Sequence, residues 1–338
     1  SWTFRKAPKF FDVVTYTGTG AAQDIAHSLG SVPGCIITKR TDASENWHTY
    51  HRGLDATAPE DKYVMLNKTN AVQDASTIWN DTAPTNTQFT VGSGNTNTSG
   101  GTYVAYLFAH NDGDGDFGGE ADADIIKCGS YTGDGTTDGS KLVDLGFEPQ
   151  FLIIRNTSVS ENWLMIDSMR GASYDNTDVL FSNLSQAASA SGRAIWTMDP
   201  NGFRLSKNNS DSNESGNNYI YIAIRRGTKV PESATEVFAP VVHNPDTSEI
   251  NVSGGFTVDA FISTRTGGTN KYTTPRLLGG RTLVTNLTGA ETDYSANIGW
   301  DTQEGVNFTG FWSSSTDAFD WQWKRAPGFF DVVCYEWN

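Results

Sequence analysis

The sequence is poor in cysteine, and this bounds the kind of protein it can be. It has 3 cysteines among 338 residues, Cys35, Cys128 and Cys334. An odd and small number is too few for the disulfide framework of a small secreted domain. The three also stand at non-equivalent places in the internal repeats described below. We therefore expect them to serve as small apolar side chains in the interior.

Basic residues and long apolar runs are also scarce. Lysine and arginine total 24 against 39 aspartates and glutamates, a net charge of −15 at pH 7. Binding to a phosphate backbone needs clustered basic side chains, and so does binding to an anionic membrane surface. No apolar run approaches the roughly 20 residues of a membrane span. Neither nucleic acid nor a membrane is therefore an expected partner.

The short motifs of common enzymes are missing as well. There is no Gly-x-Ser-x-Gly elbow, no His-Glu-x-x-His and no phosphate-binding loop. A glycan-cleaving enzyme would need two carboxylates about 5–10 Å apart, but among 39 acidic residues the sequence singles out no pair. We predict that the protein is not an enzyme, with a polysaccharide depolymerase as the alternative from that class.

What the chain does contain is typical of β structure. Short stretches of β-branched and aromatic residues alternate with turns rich in glycine, and 34 residues are glycine. No long stretch has the 3.6-residue period of an amphipathic helix. We predict an all-β protein of tandem β-sandwich, jelly-roll-like modules, joined by short Gly, Pro or acidic linkers.

Internal repeats support the modular prediction. Tyr131-Thr132-Gly133 repeats Tyr16-Thr17-Gly18, residues 161–163 repeat the Glu-Asn-Trp of 45–47, and residues 219–225 repeat 103–109, always with a shift of 115 or 116 residues. So constant a shift indicates duplication. A third and weaker copy places residues 255–265 opposite 146–155, with Tyr272 where Trp163 would stand.

The two ends of the chain carry one motif. Residues 2–16 and 321–335 align without a gap through Trp, Ala-Pro and Phe-Phe-Asp-Val-Val. We interpret residues 2–6 as the last strand of a preceding module and 10–16 as the first strand of the next, so the chain is expected to be a length of a longer array. Residues 2–6 and 329–335 should then be strands that pair outside their own modules.

These patterns divide the chain into six parts. They are the end of a preceding module and its joint (1–9), sandwich module 1 (10–110), an acidic linker (111–124), module 2 (125–228), a divergent module 3 (229–324), and a joint with the start of a further module (325–338).

Several motifs resemble one family. The segments 124–133, 145–149, 163–171 and 219–238 resemble the long, repeat-built structural or tail-fibre-like proteins of marine tailed bacteriophages. The resemblance implies a virion structural protein, made in the host cytoplasm and placed on the particle surface as a fibre or appendage for assembly and for attachment to a host or surface. It implies other virion proteins and copies of the same chain as partners, with a trimer favoured. It supplies no catalytic residues.

Two candidate binding sites follow from the residues themselves. Asn46-Trp47 and Asn162-Trp163 could stack on and hydrogen-bond a sugar, as in a carbohydrate-binding adhesin module that recognises a host cell-surface glycan. The alternative is a hairpin turn that closes onto a core or rim tryptophan. Recurrence favours the turn, since module architecture repeats more often than binding sites do.

The acidic linker offers a metal candidate. Asp112, Asp114 and Asp116 have the spacing of the start of an EF-hand loop, which would bind Ca²⁺. The pattern then fails, because Phe117 replaces the required glycine and Ala123 the bidentate glutamate. A solvated hinge is the alternative, and no other cofactor is expected.

The histidine pair is a weaker candidate. His48 and His51 lie three apart in a predicted strand, so they should point to opposite faces and make poor co-ligands.

Overall fold

The structure is a computed structural model. It describes residues 2–117, 120–121, 123–170, 179–188, 195–205, 207–227, 230–244, 250–268, 270–300, 302–312 and 317–333. The described regular structure is almost entirely antiparallel β-sheet, which confirms the predicted all-β class. The sheets fall into three groups along the chain, each with one large and one small sheet. Among the described residues, none of the helices has the length and apolar character that a membrane span requires.

The first group, module 1, spans residues 11–109. Its large sheet has the order β1-β8-β3-β4-β5-β6 and its small sheet is β2-β7. A one-turn helix, α1 (Ser76–Trp79), lies in the connection between β6 and β7 and buries Ile78 and Trp79. The strands are β1 (Phe11–Thr17), β2 (Gln23–Ala26), β3 (Pro33–Arg40), β4 (His48–His51), β5 (Lys62–Met65), β6 (Gln73–Asp74), β7 (Gln88–Val91) and β8 (Thr102–Ala109).

A two-stranded hairpin in the acidic linker leads to module 2, which spans residues 126–225. The large sheet of module 2 has the order β11-β18-β13-β14-β15 and the small sheet the order β12-β17-β16. The strands are β9 (Asp116–Phe117) and β10 (Glu120–Ala121) of the linker, then β11 (Ile126–Thr132), β12 (Lys141–Asp144), β13 (Pro149–Asn156), β14 (Trp163–Asp167), β15 (Leu180–Phe181), β16 (Ile195–Asp199), β17 (Gly202–Leu205) and β18 (Asn218–Arg225).

Module 3 spans residues 238–323. Its large sheet has the order β19-β27-β21-β22-β23-β24 and its small sheet the order β20-β26-β25. The strands are β19 (Phe238–His243), β20 (Ile250–Val252), β21 (Ala260–Arg265), β22 (Tyr272–Pro275), β23 (Arg281–Val284), β24 (Thr292–Asp293), β25 (Ile298–Gly299), β26 (Val306–Phe308) and β27 (Ala318–Trp323). The 3₁₀ turns described along the chain are Pro59–Asp61, Ser168–Arg170, Ala234–Glu236 and Arg276–Leu278.

All three large sheets share one topology. In each, the first strand of the module pairs with the last, and the last pairs with the third. The sequence repeats sit at matching registers: Tyr16 lies opposite Tyr103 and Tyr131 opposite Tyr219, with the rings stacked at 5.0 and 4.9 Å. Cross-strand aromatic pairs of this kind stabilise a sheet, so the repeated tyrosines mark where the first and last strands meet.

The large sheet of module 2 is buried on both faces. One face packs on its own small sheet through residues such as Leu152 and Ile154. The other face joins the core of module 1, where Ile153 and Ile222 belong to the same cluster as Ile37. This explains why β13 and β18 are almost continuously apolar, since a strand covered on both sides has no solvent face. Modules 1 and 2 therefore form one body with a shared core.

Two expectations about the ends and the third repeat are corrected. Residues 2–6 and 329–333 form no strand. The chain turns there through the single bridges Ala7–Phe11 and Ala326–Phe330, and the segments pack by side chains such as Phe4 and Phe330. The remaining residues of the second segment, 334–338, and with them Cys334, lie outside the described residues. The register also places Lys271, not Tyr272, at the position of Trp163, because Ile154 pairs with Leu164 where Ser263 pairs with Tyr272.

The cysteine expectation holds for the described pair. Cys35 and Cys128 are free thiols, both fully buried in the shared core of modules 1 and 2.

Candidate functional site

The first predicted ligand residue, Trp163, lies in the interface between modules 1 and 2. Its side chain is 3% exposed and its indole Nε1 donates to the Met65 carbonyl of module 1 over 2.9 Å. The Arg155 guanidinium sits over the ring at 5.7 Å. Burial lowers the pKa of Arg155 to about 10, which leaves it charged at neutral pH. No face of this indole is open to a sugar while the modules are packed together, so the structure assigns Trp163 to packing.

The equivalent Trp47 is half-buried and stacks on Tyr106 at 6.3 Å. Its backbone N–H donates to the Asn67 side chain over 3.0 Å, and Asn67 donates to the side-chain oxygen of Asn46 over 3.0 Å. These bonds close the turn before β4 and leave the Trp47 ring packed along the sheet rather than raised from it.

The same amide clasp recurs in the other modules. Asn183 accepts the Trp163 N–H and donates to Asn162 over 2.7 Å, and in module 3 Asn286 pairs with Asn270 over 3.4 Å. Because the clasp persists in module 3, where Lys271 replaces the tryptophan, the asparagines serve the turn. Asn46 and Asn162 are therefore turn-closing residues in this fold.

Two of the three predicted metal residues, Asp112 and Asp114, lie in the described part of the acidic linker. Asp112 and Asp114 are exposed, and the Asp112 N–H donates to the Asp114 carboxylate over 3.1 Å. Lys9 donates to the Asp114 carbonyl over 2.8 Å, which ties the linker to module 1. The side chain of Asp116 lies outside the described residues. Within the described part of the chain, no three His, Cys, Asp or Glu side chains gather as a metal site would require.

The two histidines also serve the packing. His48 lies against Tyr63 within module 1, whereas His51 reaches module 2 and bonds to the Tyr221 carbonyl over 3.0 Å. The Gly53 N–H donates to His51 Nδ1 over 3.0 Å, so the proton is on Nε2 and the ring is neutral. Burial lowers the pKa of His51 to about 3. The pair points to opposite faces, as expected.

The repeated end motif folds into the same joint at both ends. Ala7 N–H donates to the Phe11 carbonyl over 2.9 Å, and Ala326 N–H donates to the Phe330 carbonyl over 3.0 Å. The turn needs a left-handed residue, which is Lys9 (φ 56°) in one copy and Gly328 (φ 71°) in the other. Glycine adopts this conformation without the cost of a Cβ.

Both joints also carry the same ion pair. Lys6 Nζ lies 2.6 Å from the buried Asp12 carboxylate, and Arg325 pairs with Asp331. Burial tends to raise the pKa of Asp12, but hydrogen bonds from Lys6 and from the Ser28 and Val13 amides outweigh it and hold that pKa below its ordinary value. The joint is thus a defined structural unit.

The second joint is anchored to module 2. Arg325 makes a two-pronged contact with Glu148, at 2.7 Å from Nη1 and 2.6 Å from Nη2. The Arg325 backbone N–H donates to Asp259 over 2.7 Å, and Asp259 also accepts from Arg226 over 2.5 Å. Burial lowers the pKa of Arg325, but the hydrogen bonds and charges of Glu148 and Asp331 outweigh it and raise that pKa well above its ordinary value. Such forked, charge-assisted bonds fix geometry, so they set how module 3 sits on module 2.

A site for a tryptophan side chain lies beside these anchors. The Trp2 Nε1 donates to Asp167 over 3.1 Å, its ring meets the Phe151 ring edge-on at 5.4 Å, and the Arg170 guanidinium lies 5.6 Å from it. Arg170 Nε in turn bonds to Asp167 over 2.8 Å. We call Phe151, Asp167 and Arg170 the tryptophan site. It opens on a groove of about 840 Å³ between the N-terminal segment, module 2 and module 3.

Sequence reasoning did not find this site. Trp2 and Asp167 are 165 residues apart, and Arg170 appears in the sequence only as part of a repeated turn. The signal that could have drawn attention to Trp2 is the end motif, in which Trp2 and Trp321 occupy matching positions.

The comparisons with known proteins bear on modules 1 and 2. Residues 6–226, about two thirds of the chain, match the family model described as Domain of unknown function (DUF7483). The match begins at the first joint and ends just after β18, so it covers the body formed by modules 1 and 2. No curated protein shows a significant match. The chain belongs to the DUF7483 family.

Proposed function

We propose that the protein is a structural component of a bacteriophage virion, a fibre or surface appendage that acts in assembly and in attachment to a host or surface. Its partners in this proposal are other virion proteins and copies of itself, with a trimer as the favoured assembly. Catalysis has no part in the proposal. The setting rests on the resemblance of the repeated motifs to tail-fibre-like proteins.

One observation carries the proposal. The joint occurs twice with the same turn and ion pair, 319 residues apart, and the modules are joined through buried faces and charged clamps rather than through flexible links. A protein built in this way transmits geometry along an array. The net charge of −15 would limit non-specific clumping on a crowded surface.

The carbohydrate-binding alternative draws no support from the two repeated turn tryptophans. Trp163 is buried against module 1 and Trp47 is half-buried on its own sheet.

Immunogold electron microscopy of purified particles tests the proposal. Antibodies raised against the folded chain should label a fixed position on the particle, and preimmune antibodies from the same animals should not. If density-purified particles carry neither label nor the polypeptide by mass spectrometry, the virion assignment is wrong.

A further inference from the structure

The outer face of each large sheet can be compared through one row of paired residues. Directly paired residues in antiparallel strands point to the same face. In module 2 this row is buried under module 1, with Cys128 at 0%, Ile222 at 3% and Ile153 at 8% exposed. Its outer end continues to Met165 and Leu180. The row is therefore part of an interface.

The matching row of module 3 is exposed at Pro240, Trp321 and Leu283 and half-buried at Ile262 and Thr273. It runs from Pro240 through Trp321, Ile262 and Thr273 to Leu283. Trp321 is 38% and Leu283 41% exposed, and Val242 next to the row is 60% exposed. The second joint lies along this face, and its Phe330, Val332 and Val333 line a groove of about 570 Å³ together with Ile262, Thr273 and Leu283. We call this surface the module 3 face.

Exposed tryptophan on a sheet face indicates a contact surface. Monomeric proteins seldom expose contiguous apolar patches of this kind, and tryptophan is enriched where partners bind. The equivalent faces of modules 1 and 2 bury each other, so the fold already uses this surface as an interface between modules.

The chain itself shows what fits the module 3 face. Trp2 and Phe4 correspond to Trp321 and Trp323 at the same offset of 319 residues. The correspondence extends to packing: Phe4 lies 5.5 Å from Phe11, and Trp323 lies 6.1 Å from Phe330. Trp2 occupies the tryptophan site of module 2.

Phe4 lies at the seam between modules 1 and 2. Its ring meets Phe108 of module 1 at 5.7 Å and Phe151 of module 2 at 5.8 Å. Modules 1 and 2 together thus bind the residues that correspond to Trp321 and Trp323, and a second copy in which Trp2 has left would offer the Trp2 contacts to Trp321.

We propose that the module 3 face docks on modules 1 and 2 of a second copy of this chain. Trp321 enters the tryptophan site of that copy, where its indole N–H donates to Asp167 and its ring lies between Phe151 and Arg170. The two surfaces differ, so the contact is head-to-tail and repeats along an array rather than closing as a two-fold dimer.

In the isolated chain Trp2 occupies the site and competes with this contact. Sedimentation velocity of the full chain therefore tests the proposal with a Trp2→Ala variant that vacates the site. Relative to the wild type, this variant should form larger species whose share rises with concentration over about 1–100 μM, the range in which a contact of a few hot-spot residues is measurable. Adding Trp321→Ala should weaken the association by roughly tenfold or more, as loss of a central aromatic does.

Two further variants keep the test decisive. Adding Arg170→Gln to Trp2→Ala removes the contact from the receiving side, so the proposal stays testable if Trp321→Ala fails to fold by circular dichroism. Adding Val159→Ala, which alters a residue as exposed as Trp321 at 38% but on a module 2 loop, should leave the association intact. A Trp2→Ala variant that sediments like the wild type overturns the proposal, as does association that survives both Trp321→Ala and Arg170→Gln.

The head-to-tail contact does not depend on the virion assignment. Particle labelling tests where the protein resides, and sedimentation tests how its copies meet, so failure of one leaves the other result standing.

Discussion

Acid should loosen the body formed by modules 1 and 2 through His51. This ring is 1% exposed, accepts a hydrogen bond from Gly53 at Nδ1 and donates from Nε2 to the Tyr221 carbonyl of module 2. A proton added at Nδ1 would break the first bond and place a charge in the shared core. Burial accordingly lowers its pKa, with the positive charge of nearby Arg52 adding to the effect.

The size of the effect follows from the two pKa values. A free histidine titrates near 6.5, and His51 in the folded chain titrates at about 3. The unfolded state therefore binds more protons between these values, so the stability from neutral His51 is fully present above pH 6.5 and is lost as the pH falls toward 3. Between pH 7.5 and 4.5 the loss is about 2.5 kcal/mol for this residue alone.

Urea unfolding at a series of pH values, for the wild type and a His51→Gln variant, isolates this term. Glutamine keeps a donor and an acceptor but cannot take up a proton in this range. Its stability deficit at pH 7.5 should therefore shrink by about 2.5 kcal/mol at pH 4.5. Titrating groups that do not interact with His51, such as Asp12, are common to both proteins and cancel in the difference. A difference that stays constant with pH would refute the reasoning.

Three further substitutions test the packing by the same urea unfolding. Trp163→Ala should lower the free energy of unfolding by about 3–5 kcal/mol because it leaves a cavity in the interface between modules 1 and 2. Replacing the half-buried Trp47 by alanine should cost less than half as much. Equal costs would contradict the assignment of Trp163 to that interface. Arg325→Ala should cost about 3 kcal/mol by leaving Glu148 unpaired in a largely buried position. Lys62→Ala, whose partner Asp74 is exposed, should cost less; a reversed order would count against the clamp. Gly34→Ala should destabilise modules 1 and 2 because its Cβ would lie 2.6 Å from Cys128 Cβ, and an unchanged midpoint would show that the modules can separate locally at no cost.

Much of the fold was readable from the sequence because modules repeat. The tyrosines at 16, 103, 131 and 219 mark matching registers, and they predicted matching first and last strands. Burial on both faces explains the apolar runs of β13 and β18, but a run of Ile and Phe does not say which partner covers it. That depends on the angle between modules, which is set by contacts such as those of His51 and Trp163 that lie far apart in sequence.

The candidate sites were less predictable for the same physical reason. A tryptophan after Glu-Asn can stack on a sugar or close an interface, and only its burial decides between them. The divergent third repeat also hid a one-residue error, since Tyr272 and Lys271 are told apart only by strand pairing. The tryptophan site required a residue from the first segment and residues from β13 and the turn after β14 to meet in space.

The central claim is that modules 1 and 2 form one stiff building block held by two buried sheet faces. Native-state hydrogen exchange measures it most directly, through the amides of Ile36 in β3 and Ile222 in β18. We predict opening free energies for the two that agree within about 1 kcal/mol and fall together in Trp163→Ala, because each large sheet loses the cover of its outer face when the other leaves. Unequal opening free energies, with the Ile36 value unchanged by Trp163→Ala, would contradict the conclusion that modules 1 and 2 form one block.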